Sequence, residues 1–493
     1  MHAETLNQAL GYAKSWLEFR TERDHAPGIS VALWHQDGLT GNETRWSEAF
    51  GLADVERDVI NHRKIAHSIG SFSKLFTSVA VLQLVEDGAA NLDDRVIDHS
   101  PWSREHIDER WRSVTIRQLM THQAGLSRDG LDASQWNYTR PYPDEDQLIE
   151  EFLKTRLIRD PNAAMDPNQR IKYSNIGPSV LGLVIKDITG RSYKDFVEQR
   201  ILYPLGLSHT GVDYRPDSGL VHATGYTNWE STMSIIPYEH APANAEAPAT
   251  GYYSTPDDMV TFYKAVLPGL HSSAEVEILS QASKEELVKI QGRVGEVEEK
   301  AKHGYGLGLF IDVSEGAHEV WHGGLFPGET SESSILRSVT KDTSRGSSTI
   351  IVACTNMSSG PAPLVVGGVK NVLHHFEQQN PHGLRAGAEL KRRAGRQHSS
   401  YGVTDYVFHG SKKITTGHPT RWLPFPGEVL ERNDEGPDTW TVTESSETGF
   451  LGEAVTFEKE ADGDYSVVHG GLPRYRERRL TEMLGSKVRL PQA

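Results

Sequence analysis

Ser71 and Lys74 stand three residues apart in "IGSFSKLF" (69–76). At the start of a helix, an i, i+3 pair shares one face. A serine hydroxyl is a weak nucleophile and needs a base beside it. A lysine serves as that base when burial and nearby positive charge lower its pKa. The same residues also fit an ordinary helix with Ser71 as N-cap and Lys74 in solvent, and the stretch alone favours that plainer reading. A second Ser-x-x-Lys, Ser338 and Lys341 in "RSVTKD", shows how easily the spacing arises.

Two further groups bear on the choice. In "IKYSNIGPS" (171–179), Tyr173 and Asn175 flank one residue, so an extended turn projects both to one side. A phenol held near lysines can pass a proton between nucleophile and leaving group. An asparagine can hold both a lysine and a substrate carbonyl. The plain alternative is a core tyrosine with an asparagine capping the next helix. "GYTNW" (225–229) offers a rival pair, Tyr226 and Asn228. In "VWHGGLFPG" (320–328), Gly323 and Gly324 let a backbone approach a substrate closely. There His322 is a polar group to aim at a site and Leu325 offers its N–H; a strand end with an exposed histidine is the alternative. No G-x-S-x-G occurs, which excludes the nucleophile elbow of the α/β-hydrolases.

These groups need elements to hold them. An amphipathic helix opens the chain, and "APGISVALWHQ" (26–36) and "RWSEAFGLADV" (45–55) read as two strands joined by a Gly/Asn turn. Leu75, Val79 and Leu82 fall at helical spacing after Ser71, with Gly88 as a stop. Residues from about 100 to 290 read as mostly helical, including "PSVLGLVIKDITG" (178–190) with proline near its start and glycine at its end. Strand patterns return at 305–313, 319–324, 333–339 and 348–356 as an antiparallel meander, closed by a helix over 364–378. The expected architecture is α/β (α+β): an antiparallel sheet flanked by helices, with a mostly helical insertion.

In order, Ser-x-x-Lys, Tyr-x-Asn and His-Gly-Gly resemble the serine β-lactamase and penicillin-binding-protein superfamily, in its class C-like branch of esterases, D-aminopeptidases and acyltransferases. "TIRQLMTHQAGL" (115–126), "ILYPLGLSHTGV" (201–212), "GYYSTPDDMVTFYKAVL" (251–267) and "YGLGLFI" (305–311) are similar to segments of that branch. The resemblance covers about residues 15–378 apart from 270–300. It implies Ser71 as the nucleophile that carries the acyl group, with Lys74 and Tyr173 sharing the base and acid roles. It further implies that Asn175 orients lysine and substrate, that His322, Gly323 and Gly324 bind substrate, and that the N–H groups of Ser71 and Leu325 form an oxyanion hole. β-Lactamases usually carry Lys-Thr-Gly or Lys-Ser-Gly at the third motif, whose cation pairs with the antibiotic's carboxylate. A histidine is mostly neutral at pH 7 and binds that carboxylate less well. The expected activity is therefore cleavage of a small ester or amide. D-aminopeptidase or D-peptidase activity, or biosynthetic acyl transfer, uses the same acyl-enzyme. A non-catalytic binding or assembly protein on this scaffold is the alternative of another class.

The 493 residues allow two or three domains. Those expected are a β-lactamase-like domain over 1–378 (α/β part about 1–75 and 300–378, helical part about 76–299), a linker over 379–398 and a β-rich domain over 399–493. In the last, "DTWTVTES", "EAVTFEKE" and "YSVVHGG" alternate with period two, as in a small antiparallel barrel or sandwich of lipocalin-like size and position. A net charge of −16 argues against nucleic acid, and "LKRRAGR" (390–396) reads as a solvated linker. No apolar run approaches the roughly 18 residues of a membrane span, and no signal-peptide pattern is visible, so a cytoplasmic location is expected. Cys354, the single cysteine, sits in an apolar strand pattern and excludes an internal disulfide. No metal-ligand spacing occurs, so no cofactor or metal is expected. The expected partner is a small-molecule substrate, with a homo-oligomer left open.

Overall fold

The computed structural model describes residues 1–23, 26–162, 171–214, 219–228, 235–270, 276–294, 302–314, 317–338, 346–399, 402–409, 411–421, 423–425, 427–432, 439–444, 454–469, 472–476 and 478–479. The chain forms two compact units, one of His25–Val366 and one of Met1–Asp24 with Gly367–Ala493.

The larger unit is built on a nine-stranded sheet. Its order is Val59–Ile60, Glu43–Asp54, Gly28–Gln36, Ser348–Thr355, Glu329–Ser338, Ala317–Phe326, Phe310–Ser314, Lys302–Tyr305 and Gly292–Arg293, antiparallel throughout. The first and last parts of the unit thus meet in the middle of one sheet, where Ile29 pairs with Thr355. The strand expected over 305–313 is two strands, because the chain turns at Gly308 with φ +87°. Cys354 is fully buried in Ser348–Thr355, and burial pushes its thiol pKa up.

Helix Ser73–Glu86 is buried on every side, from Ser73 through Leu84. A helix apolar nearly all round belongs inside a core. Phe76 stacks on Phe262 at 3.8 Å and on Tyr252 at 4.5 Å. Burying such a side chain contributes about 1.5–3 kcal/mol. Most of the helix's polar groups find internal partners, as buried polar groups generally do. Ser73 Oγ donates to the Gly70 carbonyl at 2.6 Å, Thr77 Oγ1 to Pro248 O at 2.7 Å and Gln83 Nε2 to Ile278 O at 3.0 Å. Up to Leu84 no face of this helix meets water, so Lys74 has no solvent to reach. Ser71 is not its N-cap either, but sits in a one-turn 3₁₀ segment, Gly70–Phe72, ahead of it.

The smaller unit differs from the expected boundaries. Helix Ala3–Arg23 belongs to this unit: Tyr12 donates to Asp405 at 3.0 Å and Trp16 Nε1 to Arg421 O at 3.1 Å. Eight strands follow in chain order as an antiparallel meander, beginning at Gly395–Ser399, inside the segment read as a linker. A reciprocal backbone pair between His398 and Tyr475 brings the two ends together, so the sheet is a nearly closed barrel. Tyr406, Phe408, Trp440, Val455 and Phe457 belong to its buried core. The basic run is only partly solvated. Arg393 is buried against the Tyr465 ring, and Arg396 forks onto Asp405 at 2.9 and 3.1 Å.

Candidate active site

Gly70, at φ +50°, turns the chain into the serine helix. A Cβ there would fall 2.6 Å from the nitrogen and carbonyl oxygen of Leu325. Glycine thus lets the Leu325 peptide lie against the turn that carries Ser71. Gly324 has the same effect from the other side, since a Cβ on it would collide with the Ile69 carbonyl and Ser331 Oγ. These two close approaches are the physical reason for glycine at positions 70 and 324.

Around Ser71 Oγ the sequence-predicted residues converge. Lys74 Nζ lies 2.9 Å away, and the Tyr173 phenol donates from 2.9 Å. Nζ is also 2.7 Å from Asn175 Oδ1 and 2.9 Å from the Ala249 carbonyl. Burial, together with the Arg128 charge, lowers the Lys74 pKa well below its usual value; Asp129 and Glu246 act in the opposite direction. Burial raises that of Tyr173, so its phenol keeps its proton across the physiological range. Ser71 is partly exposed while Lys74 is 2% exposed, so the hydroxyl reaches the surface and the amine sits behind it.

Asn175 points its oxygen at Lys74 because Asp129 Oδ1 takes its amide nitrogen at 2.5 Å. Its backbone N–H donates to the Arg128 carbonyl at 2.7 Å. At 1% exposure it is buried against the lysine. Asp129 carries no sequence signal, lying 46 residues from its partner in a loop. Glu246, also unanticipated, is buried with Oε1 on Gln135 Nε2 at 3.0 Å. Burial and the Asp129 carboxylate push its pKa up to about 8, so it is largely protonated at neutral pH.

His322 joins the cluster as a buried side chain with a partner on each ring nitrogen. It is 2% exposed, its Nδ1 lies 2.6 Å from the Gly323 carbonyl and its Nε2 3.3 Å from the Tyr305 hydroxyl. A carbonyl only accepts, so Nδ1 carries the proton and Nε2 accepts from Tyr305. Burial and the Lys74 charge lower its pKa to about 3. Leu325 is 45% exposed beside the turn. The rival pair is committed elsewhere: Tyr226 is buried and donates to Glu56 at 2.5 Å. Ser338 ends its strand, and Lys341 lies outside the described residues. Among the described residues no group of three or more His, Cys, Asp or Glu is placed to hold a metal ion, and no helix is long and apolar enough to cross a membrane.

A sheet made from both ends of the unit, a buried serine helix and a Ser-Lys-Tyr cluster define a serine β-lactamase-like and penicillin-binding-protein-like fold. The family model described as Beta-lactamase matches residues 14–356, a span that contains every residue of the cluster. The chain belongs to the Beta-lactamase family. Among curated relatives, Protein flp of Staphylococcus aureus (strain MRSA252) is 25% identical over 223 residues, 44% of this chain and 41% of that protein. The chain thus spans less than half the length of the curated relatives it matches. The octameric penicillin-binding protein homologue from Pyrococcus abyssi superposes with a TM-score of 0.59 at 19% identity, covering 94% of this chain and 99% of its own. A D-stereospecific amidohydrolase from Streptomyces sp. superposes with a TM-score of 0.56 at 24% identity, covering 72% of this chain and 96% of its own. Both likenesses are of fold.

Proposed function

We propose that the protein is a serine hydrolase that forms an acyl-enzyme on Ser71 from a small ester or amide, with ester cleavage as its leading activity. The observation that carries this reading is the set of partners around Lys74 Nζ. Two of the three, Asn175 Oδ1 and Ala249 O, can only accept hydrogen bonds. A neutral amine has two hydrogens and one lone pair. With both hydrogens on those oxygens, the lone pair is left for the Ser71 hydroxyl, the arrangement of a general base beside a nucleophile.

In the proposed reaction, Ser71 Oγ attacks the carbonyl carbon as its proton passes to Lys74. The oxyanion accepts hydrogen bonds from the N–H groups of Ser71 and Leu325. When the intermediate collapses, the bond to the leaving oxygen or nitrogen breaks and Tyr173 supplies its proton. The Lys74 ammonium then reprotonates the tyrosine, and water releases the acid by the reverse sequence. His322 is buried and neutral, so the third motif offers no cation to a β-lactam carboxylate. This supports a neutral ester or amide over a penicillin.

Incubation with a fluorophosphonate probe and peptide mapping tests the reading, alongside turnover of p-nitrophenyl butyrate and D-amino-acid amides. One label per chain at Ser71, and loss of turnover in Ser71→Ala, is expected. Undiminished turnover in Ser71→Ala would sink it.

A further inference from the structure

His122 grips the segment that carries Tyr173 from three directions. Its carbonyl accepts the Lys172 N–H at 2.9 Å, and its Nδ1 accepts the Ser174 N–H at 3.2 Å. Its ring lies against the Tyr173 ring at 4.3 Å and the Tyr305 ring at 4.7 Å. The residues on both sides of Tyr173 and the tyrosine ring itself are thus held by one side chain and its own peptide. Phe310, Tyr305 and His322 complete an aromatic surround. We infer that His122 is a positioning residue for Tyr173, setting the direction in which the phenol meets Ser71 Oγ. The inference rests on the acyl-enzyme reading above.

Two features argue that packing alone does not account for this histidine. It adopts φ +58°, a left-handed conformation that is strained for a side chain of this size. Strain of this kind persists where the surroundings over-determine it, and it concentrates at functional sites. The second feature is its other nitrogen. Nδ1 accepts a backbone N–H, so the neutral ring must carry its proton on Nε2. Nε2 is buried and has no hydrogen-bond partner among the described residues. A buried donor left unmade is destabilising, and a phenylalanine would avoid that loss. An apolar ring cannot accept the Ser174 N–H, however, and that bond is the one next to Tyr173. Burial holds the imidazole pKa well below its usual value, which keeps the ring neutral and so able to accept.

The test is a double-mutant cycle in the full-length protein, following kcat/KM and kcat on p-nitrophenyl butyrate. H122F keeps a ring and loses the acceptor; H122Q keeps an acceptor and loses the ring. H122F is expected to lower kcat at least tenfold with KM within threefold. H122Q is expected to recover part of that loss. In a Tyr173→Phe background, which lacks the proton donor, the same H122F change is expected to cost less than twofold. Circular dichroism and thermal melting establish that each variant folds, and H122Q carries the cycle should H122F not fold. Equal losses from the histidine change with and without the Tyr173 hydroxyl would overturn the inference, as would full activity in both histidine variants. Failure of the underlying reading shows separately, as absence of fluorophosphonate label on Ser71 in the unsubstituted protein.

Discussion

Asn175 turns its oxygen toward Lys74 because Asp129 holds its amide nitrogen, 2.7 Å on one side and 2.5 Å on the other. Asp129 thereby acts on Lys74 twice. It fixes the acceptor of one amine hydrogen, and its charge raises the Lys74 pKa against burial and Arg128.

The two effects separate by substitution. D129N removes the charge and retains an acceptor for the Asn175 amide, so the Lys74 pKa drops further. The rising limb of kcat/KM against pH is expected to move to lower pH. D129A also frees Asn175 to rotate. Losing a hydrogen bond to a charged group costs about 1.5–3 kcal/mol, so about a tenfold or larger fall in kcat/KM is expected. An unmoved limb in D129N contradicts the electrostatic assignment.

The unsubstituted protein has its own pH signature. Lys74 must be neutral to accept the Ser71 proton, and its pKa lies well below the usual value for lysine. Activity is absent where the amine is charged and rises through that lowered pKa to a plateau. Tyr173 acts as the protonated phenol, and its raised pKa puts no falling limb below about pH 10. His322, at about 3, and His122, also well below the usual histidine value, add no limb near 6.5. Steady-state kcat/KM between pH 5 and 10 checks this, with a histidine-like step as the contrary result.

Lys74→Arg tests the base directly. Arginine keeps a cation at the position and cannot deprotonate in a protein. A positioned general base contributes about 10²–10⁴-fold. A loss of that size in acylation is expected, measured as the rate of fluorophosphonate labelling. Retention of the labelling rate would remove Lys74 from the role.

Gly70→Ala tests the contact between the Ser71 turn and Leu325. The added methyl meets the Leu325 nitrogen and carbonyl oxygen in a backbone at φ +50°. Strain of this kind costs about 1–3 kcal/mol, so a lower melting temperature is expected. Displacing one oxyanion donor lowers kcat about 10²–10³-fold. A variant with lowered stability and unchanged kcat would place the oxyanion donor elsewhere.

The three motifs were legible in the sequence because each is a short spacing of chemically distinctive residues: Ser71 with Lys74, Tyr173 with Asn175, and His322 before two glycines. Local pattern also located most strands and helices, since period-two and helical spacing reflect which faces are buried. It failed where contacts come from afar. Residues 395–398 read as linker, and what ties them into the barrel is the pairing of His398 with Tyr475 at the far end of the sheet, not alternation. Helix Ala3–Arg23 carried no mark of the unit it would join.

Sequence alone determined the inventory of reactive groups and the family pattern in which they stand in order. Tertiary structure decided their states. In its own stretch Lys74 read better as a solvated cation, and only the ordered motifs favoured a base; the structure buries the serine helix from Ser73 through Leu84. His322 read as a substrate ligand until Tyr305 and the Gly323 carbonyl took both its nitrogens. Asp129 and His122 gained their parts from neighbours more than 40 residues away. A pKa and a free lone pair depend on desolvation and on hydrogen-bond partners in space, and no spacing along the chain specifies either.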